Sequence, residues 1–178
     1  MRNKLSLFLI VLFGMLACQE PTKKVESNPV QSTTIEADSS LLQSILASET
    51  KGLRGISIGD SITEVMRTEK AVLSEDSVDY KGFTQNFSDT STDEFADILY
   101  KTDENGKVKN ITIDVFLNEQ AQTDKLIIEC RDYYIKKYGN PIEKKLELVW
   151  KMPDGAELSL KDVSIKQAPG MQLRLRKR

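Results

Sequence analysis

The chain has 178 residues, with 25 Lys and Arg against 27 Asp and Glu, a formal net charge of −2 and no histidine. That balance argues against a nucleic-acid binder, and the missing imidazole excludes Ser-His-Asp and Cys-His catalysis, histidine-bound zinc and histidine proton transfer near neutral pH. Two cysteines are too few for a closed four-cysteine zinc site.

Arg2 and Lys4 precede an apolar run from Leu5 to Ala17. It is shorter than the roughly 20 residues that a spanning helix needs. A positive end, a short apolar core and a small residue before a polar break predict a secretory signal peptide over residues 1–17. Met15-Leu16-Ala17-Cys18 resembles the lipobox of bacterial lipoproteins, in which cleavage falls before a cysteine carrying diacylglycerol. Ala17 and Cys18 fit that pattern, while Met15 and Leu16 stand where Leu and a small residue are usual. The resemblance implies a palmitate-type anchor on Cys18. Buried acyl methylenes, at about 0.8 kcal/mol each, then hold the chain to a membrane. In two-membrane bacteria the resemblance to sorted lipoproteins, with Gln19 in place of Asp, implies delivery to the outer membrane, facing the periplasm. The other reading of Cys18 is an ordinary thiol near an uncleaved anchor. Loss of Arg2 and Lys4 would take the net charge from −2 to −4.

Residues 18–40, rich in Ser, Thr, Glu, Lys and Pro, cannot bury enough surface to fold and read as a tether. Leu41, Leu42, Ile45 and Leu46 have helical spacing after Asp38 or Ser39, so 41–50 is a short helical lead-in to a domain over 51–178. Ser61 and Glu64 have capping-box spacing ahead of Val65 and Met66. Strands are expected from Asp79 and around Ile98 and Tyr100. Asn105-Gly106 signals a hairpin, and Ile111, Ile113 and Val115 alternate on its return. Thr123 can cap a second helix, with Leu126, Ile127, Cys130, Tyr133 and Tyr134 buried, that ends at Gly139 and Pro141. Cys130 reads as a small buried apolar residue without a disulfide partner once Cys18 is acylated. Leu146, Leu148, Trp150 and Met152 alternate, and Leu158, Leu160, Leu173 and Leu175 follow across turns.

The helix starts and the later turns are each offset by about sixty residues. This spacing predicts an α+β fold of two repeated helix-plus-three-strand units, about 56–118 and 122–178, sharing antiparallel sheet. Unrelated hairpins of similar length are the alternative. Ile56 to Val65, "ISIGDSITEV", with Gly139, Pro141 and Trp150 further on, is similar to small bacterial lipoproteins of the outer-membrane-assembly BamE/SmpA type and of the β-lactamase-inhibitor-like fold. The first unit lacks the Gly-x-Pro after its helix. The resemblance implies a binding or assembly role.

No catalytic residue, metal or cofactor is assigned. Ser48-x-x-Lys51 lacks the other elements of a serine acyl enzyme. Asp89, Asp93, Glu94 and Asp97 lack the spacing and glycine of an EF-hand loop and read as solvated charge. In "MQLRLRKR", Leu173 and Leu175 would face the core, leaving Arg174 and Arg176, with Lys177 and Arg178, as an outward basic patch. That patch either protects an edge strand or meets lipid headgroups, glycans or an acidic partner. Tyr80 and Phe83 are the aromatic candidates for the same surface. The expected function is a noncatalytic, lipid-anchored envelope protein that binds another protein, with small-ligand or glycan binding as the alternative.

Overall fold

The computed structural model describes residues 40–48, 50–88 and 93–177. The expected signal peptide, Cys18 and tether lie outside these, as do Asp89 and Arg178.

Helix α1 (Ser40–Leu46) buries Leu42, Ile45 and Leu46 where the lead-in was expected. Helix α2 (Ile62–Thr68) begins at Ser61, whose hydroxyl accepts the Glu64 N–H at 3.2 Å. The reciprocal half of the box is not made, because the Glu64 carboxylate accepts from Arg67 at 2.6 Å. Helix α3 (Gln120–Tyr138) starts before Thr123, whose buried hydroxyl bonds back to the Glu119 carbonyl at 3.4 Å. It ends where Gly139, at φ +82°, donates to the Ile135 carbonyl at 2.8 Å.

The strands are β1 (Val72–Asp76), β2 (Tyr80–Asn86), β3 (Phe95–Thr102), β4 (Val108–Phe116), β5 (Ile142–Lys144), β6 (Glu147–Lys151), β7 (Ala156–Asp162) and β8 (Gly170–Lys177). All eight join one antiparallel sheet in the order β1-β2-β3-β4-β8-β7-β6-β5. This overturns the α+β arrangement of two helix-plus-three-strand units. The fold is sheet-dominated, built on one continuous eight-stranded sheet. Two strands were missed in the reckoning by threes. β1, "VLSED", is exposed along its whole length and has no apolar alternation to mark it. β5 has three residues, all exposed.

The Asn105-Gly106 hairpin is also wider than a two-residue turn. Gly106 alone takes a positive φ, +68°, and the Asp103 carboxylate accepts the N–H groups of Asn105 and Lys107, both at 2.9 Å. The side chain thereby supplies turn bonds that the backbone of a tight turn would make itself.

The helices pack on one face of the sheet, α3 on β6, β7 and β8 and α2 on β3, with α1 against α3. Between them lies the core, including Tyr100, Ile111, Ile113, Trp150, Leu158 and Leu173. A polar knot is buried beside it. Arg54, itself in a left-handed conformation at φ +57°, donates to both Glu69 oxygens at 2.7 Å, to the Ser44 and Ile45 carbonyls at 3.1 and 2.8 Å, and to Gln85 at 2.9 Å. Tyr100 adds an O–H bond to Glu69 at 2.6 Å. The Arg54 and Glu69 side chains are only 2% and 1% exposed, so the pair is affordable only because its hydrogen-bonding groups are met on all sides. It ties α1, the end of α2, β2 and β3 into one unit.

Candidate interaction surface

Side chains alternate across a strand, so a residue paired to a core position faces the same side as that position, and its neighbours point to the opposite face. The described helices pack on the other side, yet Val149, Glu157 and Ser159, on the β6–β7 part of this face, are also buried. The register sorts its residues into rows running across the strands. One row reads Lys161, Gln172, Asp114 and Asp97 on β7, β8, β4 and β3. Another reads Lys151, Glu157, Arg176, Asn110, Lys101 and Tyr80 from β6 to β2. Between them, Ser159, Arg174, Thr112 and Leu99 align on β7, β8, β4 and β3.

The charge on this face is divided at the β4–β8 seam. On the β5–β8 side stand Lys144, Lys151, Lys161, Arg174 and Arg176 against Glu147 and Glu157. On the β1–β4 side stand Glu75, Asp97 and Asp114 against Lys101. Hydrogen bonds brace the face from within. Arg174 donates to Gln172 at 2.6 Å, Gln172 to Asp114 at 2.7 Å and Thr84 to Asp97 at 2.9 Å. Glu157, largely buried on this side, lies 3.6 Å from Arg176 and 3.8 Å from Lys144. Half-exposed Phe95 and Phe116 pack with ring centroids 5.1 Å apart at one end.

The expected residues separate accordingly. Arg174 and Arg176 lie on the open face, and Leu173 and Leu175 are in the core. β8 is a central strand, however, so protection of an edge is not their role. Lys177 is exposed at the end of β8 and points to the other side, where it pairs with the core residue Ala156. Tyr80 is on the open face, half-exposed, and the neighbouring Glu75 carboxylate raises its phenol pKa. Phe83 is buried on the helix side, its ring edge-on to Tyr100 at 5.8 Å. It holds the sheet together and offers nothing to a partner. Asp114, Thr112 and Leu99 were not singled out from the sequence, and Asp97 was read there only as solvated charge. Only the pairing of β4 with β8 makes them neighbours of the arginines.

Two clefts, about 260 and 280 Å³, lie elsewhere. Asp103 and Asp154 line the first, but both carboxylates accept turn N–H groups. Each cleft is just below the roughly 300–1,000 Å³ usual for a small-molecule site. Among the described residues no group of His, Cys, Asp or Glu could hold a metal ion. Cys130 is buried, and its thiol is pushed well up by that burial and by Glu129. Such a thiol is a poor nucleophile.

These features define a sheet-dominated domain with one charge-divided face turned away from its helices. No family model, curated protein or solved structure matches the chain.

Proposed function

We propose that this is a noncatalytic, lipid-anchored protein of the bacterial envelope that binds another protein through the open face of its sheet. The observation that carries the reading is that face itself: eight strands wide, turned away from the described helices, and bearing both ordered charge and half-exposed aromatic rings. Charge rows of this kind select a partner by complementarity and speed its approach. The rings Tyr80, Phe95 and Phe116 are the side-chain type that anchors protein interfaces. The signal-like run ending in Met15-Leu16-Ala17-Cys18 supports attachment through Cys18, and Gln19 supports the outer membrane facing the periplasm.

Binding is tested in the intact envelope with a photo-crosslinking residue at Leu99, on the open face, and another at Lys136, on the exposed side of α3. The reading expects capture of a discrete protein from Leu99 alone, reduced by Arg174→Glu with Arg176→Glu. Equal capture from both positions, or none, would defeat it. Anchoring is read separately: Cys18→Ser should abolish incorporation of labelled palmitate and release the chain from membranes.

A further inference from the structure

We infer that the open face takes a second copy of the same chain, stacked face to face about a twofold axis that runs parallel to the strands along the β4–β8 seam. The inference rests on the reading of this face as a protein-binding surface, and the charge pattern specifies the occupant.

A twofold axis along the seam lays β8 of one copy over β4 of the other, β7 over β3 and β6 over β2. The basic half of each copy then covers the acidic half of its partner. The match extends to individual rows. Lys161 falls over Asp97, which lies in the same row on the other side of the seam. Lys151 falls over the ring of Tyr80, a pairing of cation and aromatic face. The alternative axis, across the strands, would lay β8 over β8 and the basic half of one copy over the basic half of the other, and like charges oppose it. An isologous contact requires such self-complementarity, residue i meeting j while j meets i.

The area suffices. Eight strands about 4.8 Å apart, with strands roughly 20 Å long, give a face of about 700 Å² per copy. Two such faces bury at most about 1,400 Å² in total, because Val149, Glu157 and Ser159 are already buried within each copy, and that ceiling lies within the range of specific interfaces. Because the contact is polar, association should weaken as salt rises.

The test is sedimentation velocity on the full chain carrying Cys18→Ser in mild detergent, over a dilution series at low and high salt. A dimer that forms with concentration and retreats with salt is expected. Lys161→Asp and Asp97→Lys should each weaken it about fivefold or more, and the two together in one chain should restore it to within about twofold. A second measurement guards against misfolded variants. Thr112→Cys, beside the axis with sheets about 10 Å apart, should crosslink to itself through a short bismaleimide, and Lys136→Cys should not. A monomer at every concentration, or a double variant weaker than either single one, overturns the pairing. If the chain is monomeric while Leu99 still captures a different protein, the binding reading stands and only self-pairing falls. If neither is seen, both fall.

Discussion

Asp97 on β3 and Asp114 on β4 stand directly opposite one another on the open face, two carboxylates in adjoining positions of one antiparallel pair. Like charges placed so cost stability, and the bonds from Thr84 and Gln172 compensate only in part. Asp97→Asn should therefore raise the unfolding free energy by about 0.2–1 kcal/mol. A urea titration of the two proteins checks this; a lower midpoint for the variant would contradict it.

The Arg54–Glu69 pair should behave in the opposite way. Removing one partner leaves a buried charge uncompensated, so Arg54→Ala should cost about 3–5 kcal/mol. Arg54→Lys should recover only a part, because one ammonium cannot serve Glu69, Gln85 and two α1 carbonyls at once. Chemical denaturation of the three proteins under one set of conditions measures both steps.

The same pair makes stability depend on acid. Burial alone would raise the Glu69 carboxyl, but the bonds and charge of Arg54, together with the Tyr100 hydroxyl and the Ala71 N–H, outweigh it and lower the pKa from 4.5 to about 2. A carboxylate with a depressed folded-state pKa stabilises fully above its unfolded value and loses that contribution as pH falls through the folded one. The loss should run between about pH 5 and pH 2. Glu69→Gln should be less stable at neutral pH and show a flatter decline over that interval, as thermal unfolding at a series of pH values would reveal.

Trp150 is the sole tryptophan, 1% exposed, donating to the Gly139 carbonyl at 2.9 Å and packed against Tyr134 with ring centroids 5.5 Å apart. Its emission should be blue-shifted in the folded protein and move to the red on unfolding. Trp150→Phe should lose about 1–3 kcal/mol by leaving a carbonyl without its donor and a gap beside Tyr134.

Cys130 should resist a thiol reagent in the folded state and react only in denaturant, since it is fully buried on α3 against Met171 of β8. Fast labelling of the native Cys18→Ser chain would show that α3 lifts from the sheet.

Much of the core was legible because alternation marks it. Ile111, Ile113 and Val115, then Leu173 and Leu175, were expected inside and are inside. The ends of α2 and α3 were readable for the same kind of local reason, Ser61 satisfying an amide and Gly139 taking a left-handed turn. What local pattern cannot report is which strand lies beside which. "VLSED" has no periodicity, so β1 went unseen, and the arginines of β8 looked like the edge of a sheet when they sit in its middle. The candidate surface was half visible. Arg174 and Arg176 stood out as outward cations, whereas the carboxylates of the other half gained meaning only from Thr112 pairing with Arg174 and Asp114 with Gln172. Phe83 misled because an aromatic on a strand looks the same in sequence whichever way the strand faces.

The seam between β4 and β8 joins Ile113 to Leu173, about sixty residues further along the chain. As the chain emerges, then, β4 in the middle of the sheet waits for β8, the last described strand to be delivered. Until β8 emerges, β4 has an unpaired border beside Ile111, Ile113 and Val115, an invitation to any neighbouring strand. Closure over so long a loop is slow. A chain made in this order depends on being shielded while it waits, so the cell's holding chaperones should matter more to its yield than its final stability would suggest.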